Sequence, residues 1–237
     1  MLNPALDSDA LAHAFKVDGR VRIDDFLLTE IAAEVLSLCQ NQLEFNYLFF
    51  RDGKNQVFST EQMTALTPNA ITKMQQALIE QAGQGVGFFY CGLRMNHDLS
   101  GQLTGKKTVP APLMALFKLF NSEEFLKLIS KITGDPSLKD TDGQYTRYTQ
   151  GQFLTRHSDD IQAERRRFAY VLGLSPQWHP DWGGLLQFYE KDGTPRDAWQ
   201  PRFNSLSLFD VSHIHSVTYV TPFARNPRYS FTGWFRN

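Results

Sequence analysis

Short apolar and aromatic runs alternate with turns through the second half of the chain, and this pattern restricts the fold more than any other feature. From residue 142 onward, Gly, Pro and Asp separate runs that are rich in β-branched and aromatic residues. Six or more strands of this kind indicate a double-sheet barrel or jelly roll. The predicted strands are Gln144–Tyr148, Arg166–Leu174, Gly184–Tyr189, Ser205–Asp210, His215–Thr221 and Tyr229–Arg236.

The preceding residues mix helical periodicity with a few strand-like runs. Helices are predicted over Leu6–Val17, Glu30–Gln42, Pro68–Ala82, Pro112–Phe120 and Ser122–Thr133. Strands are predicted over Val21–Leu28 and Gly87–Met95, and a hairpin that turns at Asp52-Gly53 over Asn46–Phe58. A polar loop is predicted over Gly101–Pro112. We therefore predict an α+β fold with a mainly β core, a double-stranded β-helix (jelly-roll) barrel buttressed by N-terminal helices. It forms a single domain over 1–237, with 1–141 as helical and mixed support and 142–237 as the core.

Composition excludes several classes of partner. The 24 basic and 25 acidic residues give a net charge of −1, so the total charge predicts no binding to nucleic acid or to an anionic membrane. Two cysteines, Cys39 and Cys91, leave a disulfide possible, but sparse cysteine favours a reducing compartment. Acidic residues stand near the N-terminus where a signal peptide needs basic ones, and no run is long enough to span a membrane. We expect a cytoplasmic protein.

Two histidines and one carboxylate can form a metal site within this barrel. His157 and Asp159 are two residues apart, so they point the same way on a strand or at its end. With a distant histidine they match the facial triad of non-haem Fe(II) oxygenases. On spacing alone, His213 and His215 are equal candidates for the third ligand. The triad pattern by itself is weak evidence for a metal site. Histidine and aspartate at this spacing are more often surface residues, or core residues with satisfied hydrogen bonds, than metal ligands.

A longer ordered set of motifs is more specific. It comprises Tyr148, Gly151-Gln152, His157-Ser-Asp159, Trp182-Gly183-Gly184-Leu185, His215-Ser-Val217 and Arg228-Tyr-Ser230. This set resembles the prolyl 4-hydroxylase branch of the 2-oxoglutarate- and Fe(II)-dependent dioxygenases, and is similar to bacterial and fungal relatives of the hypoxia-factor and ribosomal-protein prolyl hydroxylases. The resemblance covers about residues 142–237. Arg228 follows His215 by thirteen residues and Trp234 follows Arg228 by six, and both intervals fit the family.

The resemblance implies a role for each matching residue. His157, Asp159 and His215 would hold Fe(II), with His215 favoured over His213 because it begins the family's His-x-Val-x-x-Val pattern. Arg228, Tyr148 and Ser230 would bind 2-oxoglutarate, since the guanidinium of Arg228 suits a bidentate carboxylate contact. Arg225 is the competing arginine, but it lies in a turn-like segment. Tyr170 and Trp234 are pocket candidates, and no catalytic residue beyond the metal ligands is implied.

The implied reaction is hydroxylation of a substrate C–H bond. Fe(II) is the cofactor, 2-oxoglutarate and dioxygen are cosubstrates, and ascorbate (vitamin C) is a compound expected to support activity. The preferred acceptor is a prolyl residue in a protein or peptide, for which Phe45–Phe58, Phe88–Met95 and Gly101–Pro112 would edge an open groove. A free amino acid or other metabolite is the alternative acceptor. A non-catalytic metal- or ligand-binding barrel is the alternative of another class.

Overall fold

Antiparallel strands and a smaller number of helices build the chain. The computed structural model describes residues 1–95, 102–103 and 107–237. The helices are α1 (Ser8–Asp18), α2 (Thr29–Asn41), α3 (Thr60–Thr64), α4 (Pro68–Gly83), α5 (Ala111–Phe120) and α6 (Glu123–Thr133). The strands are β1 (Arg20–Ile23), β2 (Asn46–Arg51), β3 (Lys54–Phe58), β4 (Phe88–Met95), β5 (Gln102–Leu103), β6 (Lys107–Thr108), β7 (Asp140–Thr141), β8 (Gly143–Tyr148), β9 (Phe153–His157), β10 (Arg166–Gly173), β11 (Leu186–Tyr189), β12 (Pro195–Trp199), β13 (Ser205–Asp210), β14 (Ile214–Val217) and β15 (Arg228–Arg236).

Local sequence signals account for several of the element boundaries. The side chain of Asp7 accepts from two backbone N–H groups at the start of α1, and Gly19 ends that helix at φ 64°. Ser122 caps α6 in the same way, and Gly134 ends it at φ 76°. Each glycine supplies the left-handed conformation that other residues adopt only at a cost. The predicted helix ends at these positions are confirmed within two residues.

The predicted hairpin is also confirmed. Strands β2 and β3 pair from Tyr47 with Phe58 to Arg51 with Lys54, so two residues form the connection. These residues are Asp52 and Gly53, both with positive φ, at 54° and 71°. Paired positive φ values match the twist of antiparallel strands, which is why Asp-Gly is favoured there. Of the predicted loop Gly101–Pro112, residues 101 and 104–106 lie outside the described residues.

One curled antiparallel sheet dominates the structure. Its strands run in the order β1-β13-β10-β15-β8-β4-β9-β14-β11-β12, with β2, β3 and β7 attached at the sides. Strand β4 pairs with β8 along one part of its length and with β9 along another, so it joins the two halves of the sheet. The two halves face each other across a cavity, as in a jelly roll. The predicted fold class is therefore confirmed.

The major half of the sheet has an apolar face and a polar face. Successive side chains on a strand point in opposite directions. Along β8, Tyr145 points to the helices, whereas Gln144 and Thr146 line the cavity. Along β15, Phe231 and its apolar neighbours face the helices, and the residues between them face the cavity; these cavity residues are Arg228, Ser230, Thr232 and Trp234.

An aromatic cluster fills the space between the helices and this sheet. Phe120, at the end of α5, is fully buried. Its ring centroid lies 4.5 Å from Phe125, 4.9 Å from Tyr170 and 5.3 Å from Phe231. Such contacts add a favourable electrostatic term to the burial of apolar surface. This cluster attaches α5 and α6 to the back of the strands that carry the cavity residues.

Two findings bear on the predicted surroundings of the protein. Cys39 and Cys91 are both free and buried, so they form no disulfide in this structure. Within the described ranges, no helix combines the length and the apolar character that crossing a lipid bilayer would require.

We expect Phe120→Ala to lower the free energy of unfolding by about 3–5 kcal/mol, because it removes a large buried ring from a close-packed cluster. Phe223→Ala is the matched control, since the Phe223 side chain is 61% exposed. Urea unfolding followed by circular dichroism measures both changes. Equal effects of the two substitutions would contradict the assignment of Phe120 to the core.

Candidate metal centre and its cavity

Three potential metal ligands meet where β9 and β14 lie side by side. His157 ends β9, and it pairs directly with His215 on β14. Asp159 follows two residues after His157 and lies between the two rings. Its carboxylate oxygens are 3.5 Å from Nε2 of His157 and 3.4 Å from Nε2 of His215. One donor atom from each residue falls within 4.8 Å of the others, so the three can hold a metal ion.

Backbone carbonyls orient both imidazole rings. Nδ1 of His157 lies 2.9 Å from the Thr155 carbonyl oxygen, and Nδ1 of His215 lies 3.0 Å from the His213 carbonyl oxygen. A carbonyl only accepts, so each Nδ1 carries the proton and donates it. The proton is thereby excluded from Nε2 in the neutral ring, which leaves that lone pair for a metal. Second contacts of this kind are typical of metal-binding histidines.

Burial and mutual charge set the protonation of the triad. Burial lowers the pKa of His215 to about 4, so this ring is neutral at pH 7 and able to coordinate. Burial alone would raise the pKa of Asp159, but the hydrogen bond from His157 and the charges of both histidines outweigh it and lower the pKa to about 2. Burial opposes protonation of His157, but Asp159 prevails and raises that pKa.

The triad faces a cavity of about 360 Å³ between the two halves of the sheet. Both halves contribute to its lining. Arg228, Ser230 and Trp234 line it from β15, and Tyr148 lines it from β8. Arg225 is exposed and does not line the cavity, whereas Arg228 is only 4% exposed.

Arg228 is a buried cation that lacks an anionic partner. It forms no ion pair or hydrogen bond with the rest of the described chain, and its Nε is buried without a partner. Its guanidinium carbon lies 5.2 Å from the centre of the Tyr148 ring, and burial lowers its pKa. An unpaired buried charge is strongly unfavourable. A carboxylate-bearing ligand in the cavity would supply the missing charge and the missing acceptors.

Two consecutive glycines allow close packing, Gly184 against Arg228 and Gly183 against the backbone of Tyr219. A Cβ on Gly184 would lie 3.3 Å from Cδ of Arg228 and 3.1 Å from the Trp178 ring, and the φ of Gly184 is 63°. A Cβ on Gly183 would lie 2.0 Å from the Tyr219 carbonyl oxygen. Larger side chains at these positions would displace the arginine or the backbone beside it. The glycine pair in the Trp182-Gly183-Gly184-Leu185 motif thus lets the chain pack closely against Tyr219 and Arg228.

A second arginine lies beside the triad. Arg166 stacks on the Trp234 ring with its guanidinium carbon 3.6 Å from the ring centre. Its terminal nitrogens lie 2.6 Å from Glu164 and 3.6 Å from Asp159. This arrangement fixes Trp234 and places positive charge next to the Asp159 carboxylate. Arg166 is the middle member of three consecutive arginines, Arg165–Arg167, and the sequence alone does not show which of them reaches the triad.

Two further candidates, His213 and Tyr170, lie outside the metal site and its cavity. His213 is directed away from the triad, with Nε2 2.9 Å from the Asp18 carbonyl oxygen. The prediction that Tyr170 lines the pocket is wrong, because Ala169 and Val171 are the β10 residues on that face. Tyr170 lies on the helix side, where its hydroxyl donates to the Asp142 carbonyl at 2.8 Å. Gly143 and Gly233 provide the space for its hydroxyl group.

Several lining residues were not identified from the sequence. Tyr90 stacks on Tyr148 at 5.1 Å with 14° between the ring planes, which brings β4 into the cavity wall. Thr146 and Ser230 contact each other through their hydroxyl oxygens at 2.7 Å. Alternation along β4 and β8 could have identified these residues once the cavity face was known. The missing information was the pairing of β4 with β8.

A groove of about 530 Å³ adjoins the cavity. The two share Leu154, Thr155, Arg156 and Val217. The groove is otherwise lined by Ile79, Ala82, Phe153, Tyr189, Ser216, Thr218 and Tyr219. The stretches predicted to edge a groove contribute Asn55, Phe88, Tyr90 and Arg94 to the lining of the cavity, and part of the third stretch, Gly101–Pro112, lies outside the described residues. Helix α4 and strands β9, β11 and β14 form the borders of the adjoining groove.

Comparison with known proteins identifies the domain. Residues 143–236 match the model of the 2OG-Fe(II) oxygenase superfamily. This segment therefore resembles a 2OG-Fe(II) oxygenase domain, and the jelly-roll fold of the chain agrees with that match. Fe(II) and 2-oxoglutarate, the metal and cosubstrate of this superfamily, fit the residues present: the triad offers two imidazoles and a carboxylate, and Arg228 lacks an anion.

Two named relatives are similar in sequence over about half of the chain. The chain is 36% identical to "Prolyl 3-hydroxylase OGFOD1" of Xenopus laevis over 120 residues, which are 48% of this chain and 23% of that protein. It is 33% identical to the Mus musculus protein of the same name over 130 residues, or 52% of this chain and 23% of that protein. The similarity thus spans less than a quarter of either relative.

Solved structures resemble the whole chain in fold. A prolyl-4-hydroxylase of Pseudomonas putida superimposes with a TM-score of 0.62 at 19% identity, covering 98% of this chain and 99% of that one. A prolyl hydroxylase of Trichoplax adhaerens, solved with a peptide fragment of the hypoxia inducible factor oxygen degradation domain, has a TM-score of 0.61 at 19% identity. It covers 97% of this chain and 88% of that one.

We expect His215→Ala to weaken Fe(II) binding by at least about a hundredfold, because two remaining donors do not hold the ion. His213→Ala is the matched control, since His213 lies on the same segment but contacts Asp18 instead. Anaerobic calorimetric titration with Fe(II) measures both affinities. If His213→Ala lost as much Fe(II) affinity as His215→Ala, or more, the assignment of His215 as the third ligand would be wrong.

Proposed function

We propose that this protein is an Fe(II)- and 2-oxoglutarate-dependent dioxygenase that hydroxylates a prolyl residue in a polypeptide. Fe(II) would be held by His157, Asp159 and His215, and the distal carboxylate of 2-oxoglutarate by Arg228. One observation carries the proposal: the cavity that contains the triad also contains a buried arginine with no anionic partner. A metal site alone would not need this cation, whereas a dicarboxylate cosubstrate does.

The residues around Arg228 support the same ligand. Tyr148 lies opposite Arg228 in the pairing of β8 with β15, and its hydroxyl remains protonated at neutral pH because burial raises its pKa. It is therefore a hydrogen-bond donor for a carboxylate oxygen. Ser230 lies two residues further on the same face, where its hydroxyl can contribute a further contact. Together these groups would orient the cosubstrate along β15 towards the triad.

When bound, Fe(II) with dioxygen and 2-oxoglutarate supplies the oxidation of a C–H bond to an alcohol, with succinate and carbon dioxide as co-products. The chain's own residues hold and shield this chemistry. Asp159 is ionised and 5% exposed, so it offsets part of the metal charge within a buried site. The apolar lining, which includes Leu186, Phe209 and Val217, limits the access of water to the ligands.

The adjoining groove favours a polypeptide acceptor over a free metabolite. It shares one wall with the cavity, and it presents exposed apolar side chains at Ile79 and Tyr219, which are 55% and 44% exposed. An extended segment carrying the target residue in the cavity can continue along such a groove. The relatives named above are called prolyl hydroxylases, and one of the similar structures contains a bound peptide fragment.

We also propose that the chain forms one domain, with 1–141 supporting 142–237. Strands β1 and β4 come from the first part and lie within the same sheet as the second part. A cytoplasmic location and support of activity by ascorbate accord with an Fe(II) enzyme that keeps free cysteines.

Arg228→Ala is expected to raise the apparent KM for 2-oxoglutarate by at least about tenfold, because a charge-assisted contact to a carboxylate is lost. Arg228→Lys should restore part of the affinity, since an ammonium cannot reproduce the bidentate fork. Arg225→Ala is the control, because Arg225 is exposed and outside the cavity. The measurement is succinate formation at varied 2-oxoglutarate, with Fe(II) affinity determined separately. A larger effect of Arg225→Ala would move the site to Arg225.

The acceptor assay compares proline-containing peptides and lysate proteins with free proline and other amino acids. We expect a gain of one oxygen atom on a prolyl residue of a polypeptide, dependent on Fe(II) and 2-oxoglutarate and absent in His215→Ala. Ascorbate is included in one arm and omitted from another. If a free amino acid is hydroxylated and no polypeptide is modified, the acceptor is a free amino acid and the proposed polypeptide acceptor is wrong. Absence of any 2-oxoglutarate-dependent charge-transfer band with Fe(II) would instead favour a non-catalytic barrel.

A further inference from the structure

The cavity carries more positive charge than its proposed cosubstrate requires. Four arginines line it, at positions 94, 156, 166 and 228, whereas Asp159 is its only carboxylate among the described residues. Asp159 is assigned to the metal. A divalent ion would add further positive charge, so the remaining space favours an acceptor that brings negative charge.

Three of the four arginines have an identified environment. Arg228 is buried at the proposed 2-oxoglutarate end. Arg166 is paired with Glu164 and stacked on Trp234. Arg156 packs over Tyr189, with its guanidinium carbon 5.9 Å from the ring centre. Arg94 differs, because it lines the cavity, is exposed and forms no ion pair or hydrogen bond with another described residue.

Gln144 lies directly beside Arg94. The two residues pair across β4 and β8, and Gln144 in turn pairs with Thr232 on β15. All three line the cavity and form a row across neighbouring strands. Gln144 is 8% exposed; its side chain contributes a hydrogen bond to Tyr90, whereas its Oε1 is buried with no hydrogen-bond partner among the described residues. A buried acceptor atom that faces a cavity is normally satisfied by a donor on a ligand or by water.

This row is distinct from the proposed 2-oxoglutarate site. Along β8 and β15, Gln144 and Thr232 are each four residues away from Tyr148 and Arg228. Four residues of an extended strand span about 13 Å. Arg94 therefore does not serve the same carboxylate as Arg228. The charge of Arg94 nevertheless acts within the cavity wall. Burial raises the pKa of Tyr90, and the positive charge of Arg94 offsets part of that rise.

We propose that Arg94 binds a carboxylate carried by the acceptor, and that Gln144 Oε1 accepts an N–H group from the same molecule. This inference rests on the proposed dioxygenase function and specifies the chemistry of its acceptor. The carboxylate has two possible sources, the side chain of an acidic residue near the target proline or the α-carboxylate of a free amino acid. In both cases Arg94 selects the acceptor and does not participate in cosubstrate binding.

The test measures the binding of acceptor peptides to the protein loaded with Mn(II) and 2-oxoglutarate. Mn(II) replaces Fe(II) because it accepts imidazole and carboxylate ligands. Oxygen is excluded, so that no turnover occurs. The probes are capped Gly/Ala peptides with a central Pro and one Glu at each of the nearest positions in turn, the same peptides with Gln, and free L-proline. At one Glu position we expect affinity on the order of tenfold above the Gln peptide, by calorimetry.

Arg94→Gln should abolish this preference, while Arg225→Gln, which removes an exposed arginine outside the cavity and the groove, should retain it. Gln144→Met keeps the side-chain volume and should weaken Glu and Gln peptides alike, because an amide oxygen does not distinguish them. The affinities for Mn(II) and 2-oxoglutarate should be unchanged in Arg94→Gln. Free L-proline could instead bind more tightly than the peptides and lose this affinity in Arg94→Gln. That result would assign the carboxylate to a free amino acid and would still support Arg94 as its binding site.

A charge preference that persists in Arg94→Gln, or the absence of any preference in the unmodified protein, would overturn the inference. The proposed function fails by a different result, which is the absence of oxygen transfer to any acceptor under aerobic conditions with Fe(II). The two failures are therefore distinguishable, because binding is measured with Mn(II) under conditions where no reaction takes place.

Discussion

Strand alternation in the major half of the sheet is the constraint on which the rest of the structure depends. One face of β8 and β15 must be apolar enough to pack against α5 and α6, and the other must be polar enough to hold ligands. The aromatic cluster around Phe120 stabilises the first face. A shift of pairing by one residue would exchange the two faces. Packing at the helices thus determines that Arg228 points into the cavity.

The same principle explains how the triad is positioned. His157 and His215 are paired residues on adjacent strands, and backbone carbonyls hold both rings through Nδ1. The geometry therefore comes from hydrogen bonds to the main chain and from strand register. A preorganised site of this kind loses little conformational entropy on binding the metal.

Much of the fold and part of the site were predictable from the sequence. Local sequence patterns identified the hairpin and the ends of α1 and α6, whereas Arg228, Ser230 and Trp234 on β15 were singled out through the family resemblance. Strand β9 was not predicted, because Phe153–His157 is short and contains Thr, Arg and His, so it lacks a clear apolar pattern. Strand β12 is largely exposed and was missed for the same reason. Tyr170 was assigned to the wrong face, since its orientation depends on space at Gly143 and Gly233 that local sequence does not reveal.

Strand β4 has a consequence for where this protein can be divided. It lies outside residues 143–236, the segment that matches the superfamily model, but it pairs with both β8 and β9. Without it, β8 and β9 would each present a row of unpaired backbone groups to other molecules. We therefore expect the segment of family similarity to be smaller than the unit that folds. Expressing the matched segment alone would create open sheet edges and favour self-association.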